Sequence, residues 1–150
     1  MASITIRALQ PTDHDEWYRL WRGYQQFYKV DISSETSAVT WQRLLDDNEP
    51  MHCALAIVGD QTLGLVHFIE HRSCWTVGNY LYLQDLFVAE AARGKGVGRA
   101  LIEHVYAQAT KRGISRVHWL THETNREAMY LYDRIADRSG FIQYRKVFPN

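Results

Sequence analysis

Seven residues, Arg93-Gly94-Lys95-Gly96-Val97-Gly98-Arg99, stand between an apolar run that ends at Val88 and a helical pattern that starts near Arg99. Glycine on alternate positions opens backbone angles closed to other residues, so several N–H groups converge on one anion with no Cβ in the way. The following helix, apolar at Ala100, Leu101, Val105 and Ala109, adds its unpaired first-turn N–H groups and the positive end of its dipole. Arg93, Lys95 and Arg99 supply charge, and each charge-assisted hydrogen bond to phosphate contributes about 1.5–3 kcal/mol. The loop therefore suits a diphosphate on a nucleotide-like cofactor. Two familiar phosphate motifs do not describe it. The dinucleotide fingerprint needs G-x-G-x-x-G near the first strand, whereas this loop reads G-x-G-x-G past the middle of the chain. The P-loop needs Ser or Thr after its Lys, and here Gly96 follows Lys95.

The remainder of the chain frames that loop. With 150 residues, 46% of them hydrophobic, it is read as one domain, large enough to bury roughly 70% of its unfolded surface. Seventeen basic residues balance seventeen acidic ones, which leaves no net field for nucleic acid or an anionic membrane. Cys53 and Cys74 are too few for a disulfide scaffold and read as reduced core thiols of a cytoplasmic protein. No leader-like or membrane-spanning apolar stretch is expected. The pairs His67/His71 and His118/His122 fall on expected strands, about 13 Å apart at 3.3 Å per residue. That is too far to share a zinc ion, so no metal is expected and these histidines read as surface or rim residues.

Hydrophobic periodicity orders the elements. Ser3–Ala8 reads as a strand, followed by a helix with Trp17, Leu20, Trp21, Tyr24, Phe27 and Tyr28 at spacings of three and four. A second helix is expected over Glu35–Asp46. Strands follow at Met51–Val58 and Leu63–Glu70 about a turn at Gly59–Thr62, then at Asn79–Val88. After the glycine loop come a helix to about Arg112, a strand at Ser115–Thr121, a helix at Asn125–Ala136 and a closing strand at Phe141–Phe148. This order gives an α/β sandwich around a mixed sheet.

Leu86-Phe87-Val88 before the glycine loop, and Asn125-Arg126-Glu127-Ala128-Met129-Tyr130-Leu131-Tyr132 after it, complete a pattern that resembles the GNAT superfamily of acetyl-CoA-dependent N-acetyltransferases. Within that superfamily the chain looks most like the small branch that acetylates histone tails, polyamines and amino acids in vitro. The resemblance implies an α/β (α+β) fold with a mixed, mostly antiparallel central sheet, helices on both faces, and a single N-acetyltransferase domain over residues 1–150. It implies acetyl-CoA as cosubstrate, with the backbone of Leu86, Phe87 and Val88 pairing with the pantetheine arm. Arg93, Gly94, Lys95, Gly96, Val97 and Gly98 match the family's pyrophosphate loop, with Arg99 at the helix start and Asn125 as a polar contact to the CoA arm. Tyr132 matches the family's tyrosine near the thioester sulfur. The resemblance also implies a homodimer. Two departures stand out. Gln84 precedes Asp85 where several polyamine acetyltransferases carry Glu, and Asp133–Ser139 lengthens the interval before Gly140-Phe141.

Acetyl transfer to an amine needs a neutral amine, an oxyanion donor and a stabilised thiolate. An alkyl ammonium of pKa about 10.4 leaves only about one molecule in a thousand nucleophilic near neutral pH, so something must take its proton. Asp85 is one candidate, although strand alternation turns neighbouring side chains to opposite faces and only a bulge brings it to the site. His122 and Glu123, acting through water, are others. Tyr132 can hydrogen-bond the leaving sulfur, while full proton donation from a phenol to a thiolate is uphill by roughly 2 kcal/mol. A backbone N–H of Leu86 to Val88 is the natural oxyanion donor. Tyr24 and Tyr28 are the expected acceptor-binding residues, with Asp31 or Glu35 adding charge and Trp17 and Trp21 in the core. No nucleophile elbow is present, which favours direct transfer in a ternary complex. A catalytically silent CoA-binding module and a binder of ordinary nucleotides are the competing readings.

Overall fold

The computed structural model describes residues 3–149. The chain falls into two compact units, one ending at Trp119 and the other starting at Leu120. The first holds β1 (Ile4–Ala8), α1 (His14–Tyr28), α2 (Ser34–Leu45), β2 (Met51–Val58), β3 (Gln61–His71), β4 (Tyr80–Val88), α3 (Val97–Lys111) and β5 (Val117–His118); the second holds α4 (Arg126–Ile135). The strands lie in sequence order in one sheet, antiparallel from β1 to β4 and parallel between β4 and β5.

Alternation along β3 explains how the sheet acquires two covered faces. Leu65 joins Cys53 and Leu55 of β2 in a core with Trp17, Leu20 and Trp21 of α1 and Leu44 of α2. Gly64 and Phe68, one residue out of phase, face the opposite side. There a Cβ on Gly64 would stand 3.1 Å from both Val97 and Leu101 of α3, and the Phe68 ring meets His104. Side chains and a glycine fix the approaches to the helices. Asp13, ahead of α1, accepts from the Gln10 N–H at 2.7 Å and takes a two-pronged ion pair from Arg7 at 2.7 and 2.9 Å. Ser33 caps α2 by accepting from the Thr36 N–H. Gly96 caps α3 at φ +84°, in the left-handed region that favours glycine.

Several expectations are corrected. β5 is two residues long rather than seven. Among the described residues Phe141–Phe148 forms no strand, and Phe141, Ile142, Tyr144, Val147 and Phe148 are exposed. An alternating apolar run marks which side chains would be buried, but a strand also needs a partner ladder, and the described residues of the second unit hold no strand to pair with. Cys74 is exposed, and only Cys53 is a core thiol.

Two outcomes follow for stability. Gly64→Val is expected to lower it by about 1–3 kcal/mol in urea denaturation, because the added carbons overpack the contact between β3 and α3; a change inside ±0.5 kcal/mol contradicts that packing. The Arg7 guanidinium, opposed by burial, holds the Asp13 carboxyl below its usual range. A depressed carboxyl stabilises the fold above its unfolded pKa of about 3.9 and loses that contribution as pH falls through the folded value. Asp13→Asn should therefore flatten the acid side of the stability profile below about pH 4, measured by thermal melts.

Candidate active site

The site begins with a break in register. Along the β3–β4 ladder His67 pairs with Asp85, but the next residue, Phe68, pairs with Leu83, so Gln84 is an extra residue on β4. Such a bulge reverses the faces of everything beyond it. Leu83, opposite Phe68, goes to the α3 side and is buried, whereas Asp85, opposite His67, turns to the α1 side. Alternation alone sends Asp85 and Leu83 to one face; the bulge separates them.

On the α1 side Asp85 closes one end of a buried chain of hydrogen bonds. The Trp17 indole N–H donates to His67 Nε2 at 3.0 Å, and His67 Nδ1 meets Asp85 Oδ2 at 3.0 Å. Trp17, His67 and Asp85 are 0, 5 and 8% exposed. Tyr24 lies close to Asp85, and burial together with the Asp85 charge pushes its phenol well above the ordinary range, so it keeps its proton. Trp17, Trp21, Tyr24 and Tyr28 stack in sequence down α1, with centroids 6.2, 5.0 and 4.7 Å apart.

A cavity of about 450 Å³ opens over this chain, lined by Trp21, Tyr24, Val30, Ile32, Leu44, Met51 and Ile69 with His52, His67, Gln84 and Asp85 among its polar groups. Asp85 is its one carboxylate, and no Lys or Arg lines it. His52 is held below its usual range by burial and by Arg112, which approaches its Nε2 at 3.0 Å. The cavity is thus an apolar cup with a single negative group. Of the expected acceptor residues, Tyr24 lines it; Tyr28 lies outside the lining, with its phenol raised by burial and by the nearby Asp85. Asp31 and Glu35 are exposed and do not line it.

Beside the cavity β4 presents an open edge. The β4–β5 ladder holds only Leu81 with Val117 and Tyr82 with His118, so among the described residues Leu83–Val88 has no partner on the β5 side. Leu86, Phe87 and Val88 lie on that stretch, leading toward the glycine loop. Gly94 and Gly96 adopt φ +77° and +84°, and nothing stands within 4 Å of where a Cβ would sit. The first rung of α3 runs from the Ala100 N–H to Gly96 O, which leaves the amides of Val97, Gly98 and Arg99 ahead of the helical ladder. Lys95 is exposed. The other two cations are tethered: Arg93 donates to Val88 O at 3.0 Å and lies over the Phe27 ring, and Arg99 pairs with Glu103 at 2.8 Å. Open edge, unobstructed glycines and free first-turn amides fit a ligand with an amide-bearing arm and a diphosphate.

In the second unit, Tyr132 is half-buried on α4 and Asn125 occupies the position before the helix, its carbonyl accepting from the Met129 N–H. His122 and Glu123 are exposed, and His122 Nδ1 contacts Thr124 Oγ1 at 2.7 Å. Among the described residues no three His, Cys, Asp or Glu side chains are grouped to hold a metal. Sequence reasoning missed His67, expected at the surface and found buried against Asp85, and missed Trp17 as its hydrogen-bond partner. One signal was present: His67 interrupts the apolar run Leu65-Val66-His67-Phe68-Ile69, and a polar residue inside a buried strand requires a partner.

The chain is 36% identical over 146 residues to the D-amino-acid N-acetyltransferase HPA3 of Saccharomyces cerevisiae, covering 95% of this chain and 90% of that protein. It is 26% identical over 135 residues to the thialysine N-epsilon-acetyltransferase of Caenorhabditis elegans, covering 90% and 83%. Its fold matches the crystal structure of a ribosomal-protein-alanine N-acetyltransferase from Brucella melitensis biovar Abortus 2308, with a TM-score of 0.82 and 23% identity over 97% of this chain and 100% of that one. Residues 14–136 match the model of the acetyltransferase (GNAT) family, and the chain belongs to that family.

Proposed function

We propose that this acetyl-CoA-dependent N-acetyltransferase acts on the primary amine of a small acceptor, an amino acid or an amine of the thialysine kind, and that Asp85 takes the amine's proton. Acetyl transfer to amines is the reaction of the family, and the relatives named for D-amino acids and thialysine support the acceptor class. The carrying observation is the position of Asp85: a buried carboxylate, re-aimed by the bulge at Gln84, and the one charged group in an apolar cup. An ammonium entering the cup finds its counter-charge there. Passing its proton to the carboxylate frees the nitrogen lone pair, the step that only about one amine in a thousand has completed in water at neutral pH.

The remaining roles follow the same plan. The open edge at Leu86, Phe87 and Val88 would hold the pantetheine arm of acetyl-CoA and offer an N–H to the carbonyl oxygen as negative charge develops there. Residues Arg93 to Gly98, with Arg99, would hold the diphosphate on first-turn amides and glycine-lined backbone. Tyr132 would donate a hydrogen bond to the departing thiolate, and Asn125 would contact the CoA arm. Tyr24 orients Asp85, and Tyr28 extends the aromatic wall toward solvent. Acetyl-CoA supplies the activated acyl group; no metal is assigned. Residues 1–150 act as one N-acetyltransferase domain on this reading. The exposed apolar run Phe141, Ile142, Tyr144, Val147 and Phe148 supports a homodimer, and the two free cysteines suit the reducing cytoplasm.

Two variants separate the roles. Asp85→Asn should lower kcat by about 10²- to 10⁴-fold in a thiol-release assay across amino acids, polyamines and lysine peptides, with acetyl-CoA affinity retained in calorimetry. Activity near wild type rejects Asp85 as the base. Gly96→Val forces a β-branched residue to a positive φ, a strain of roughly 1–3 kcal/mol, at the mouth of the diphosphate loop. It should weaken acetyl-CoA binding by about tenfold or more; undiminished affinity places the diphosphate elsewhere.

A further inference from the structure

We propose that Trp17 and His67 are positioning residues for the reaction: together they hold His67 neutral with its hydrogen on Nδ1, so that Asp85 alone receives the acceptor's proton. The role rests on the reading of Asp85 as the proton acceptor. An indole N–H only donates, so at 3.0 Å from Trp17 Nε1 the His67 Nε2 must be the accepting nitrogen. In a neutral imidazole the hydrogen then resides on Nδ1, which points it at Asp85 Oδ2, 3.0 Å away. A second proton on Nε2 would face the indole hydrogen inside a fully buried core, so protonating His67 means breaking the Trp17 bond.

This arrangement has a chemical consequence. A histidine beside a carboxylate ordinarily competes for its charge, because an imidazolium–carboxylate pair would neutralise Asp85 before any amine arrived. Here Asp85 receives a hydrogen bond from a neutral donor, His67 Nδ1, with the un-ionised Tyr24 phenol nearby, and its negative charge is left for the ammonium. The proton balance is simple. The amine N–H bond breaks, an O–H bond forms on Asp85, and His67 neither gains nor passes a proton. The groups that face this pair are accounted for. From α1 come Trp17, Trp21, Tyr24 and Tyr28. From β2, Cys53 lies opposite His67 with its thiol pushed up by burial, and His52 lines the same cavity and is held low. From β4, Gln84 and Tyr82 flank Asp85, and burial raises the Tyr82 phenol. Among the described residues none of these brings a cation to Asp85.

The test combines nitrogen NMR of histidine-labelled protein with pH–rate profiles. In the wild type, His67 should show an unprotonated Nε2 and a protonated Nδ1. Trp17→Phe removes the donor but keeps a ring in the core. In that variant a proton on His67 Nε2 no longer faces a donor, and kcat/KM should gain an acid limb, with a loss of roughly tenfold near pH 6 that shrinks as pH rises. A purely structural role predicts a loss independent of pH. Should Trp17→Phe fold poorly, His67→Asn and His67→Leu serve instead. The Asn amide can keep a donor toward Asp85, and it should restore kcat/KM by about tenfold or more over Leu. A hydrogen on His67 Nε2 in the wild type, a Trp17→Phe loss independent of pH, or equal rates for Asn and Leu would overturn the proposal. Failure of the underlying base assignment is distinct: it shows as an active Asp85→Asn protein, whereas failure of the present proposal leaves Asp85→Asn inactive and the His67→Asn and His67→Leu rates equal.

Discussion

One extra residue in β4 organises this molecule. Gln84 has no partner in the β3 ladder, and because side chains alternate with a period of two, that single insertion exchanges the faces of the strand on its two sides. Before the bulge, β4 contributes Leu81 and Leu83 to the interior. After it, Asp85 turns toward α1 and Phe87 lies against Gly23 of that helix. A regular strand would serve one of these needs at the expense of the other. The irregularity lets one strand finish a hydrophobic layer and then supply a carboxylate to the cavity on the opposite face.

Burying that carboxylate is costly, and the surroundings show how the cost is offset. An isolated buried charge is worth several kcal/mol against folding, while each hydrogen bond to a charged group recovers about 1.5–3 kcal/mol. Asp85 has His67, and His67 in turn has Trp17, which ends the chain on a side chain with only a donor to satisfy. The series closes without an unpaired polar atom along it. Asp13 uses a different solution, a two-pronged ion pair with Arg7 near the surface. The contrast is informative: the carboxylate that braces the fold is neutralised by a guanidinium, and the one in the cavity is solvated by a neutral donor.

The elements legible from sequence were those whose signals are local. Helical spacing of Trp17, Leu20 and Trp21, the turn at Gly59, and the glycines before α3 depend on neighbours in the chain, and each lies where periodicity puts it. Asp85 was legible as a candidate, but its orientation hinged on whether a bulge was present, and a bulge is a property of two strands together. His67 was misplaced for the same reason, since its partners lie 50 residues earlier and 18 later. Phe141–Phe148 shows the converse: it has strand composition, yet pairing is settled by what lies beside it. The glycine loop was anticipated, whereas the tethering of Arg93 to Val88 O and of Arg99 to Glu103 was not, because a basic residue's chosen acceptor is a matter of reach.

Gly64 lies outside the cavity lining, and it governs how the end of β4 and the start of α3 meet. It pairs with Val88 at the end of the open edge, and the space its absent side chain leaves is filled from above by Val97 and Leu101 of α3 and from the side by Phe87 O. The helix start and the strand end are therefore seated on one point, with hydrogen as the spacer. The height of the loop above the edge is set by the thickness of a single residue, much as a shim sets the gap between two machine parts. The lining of the cup around Asp85 can vary without touching this contact, whereas a larger side chain at position 64 shifts the glycine loop against the strand edge.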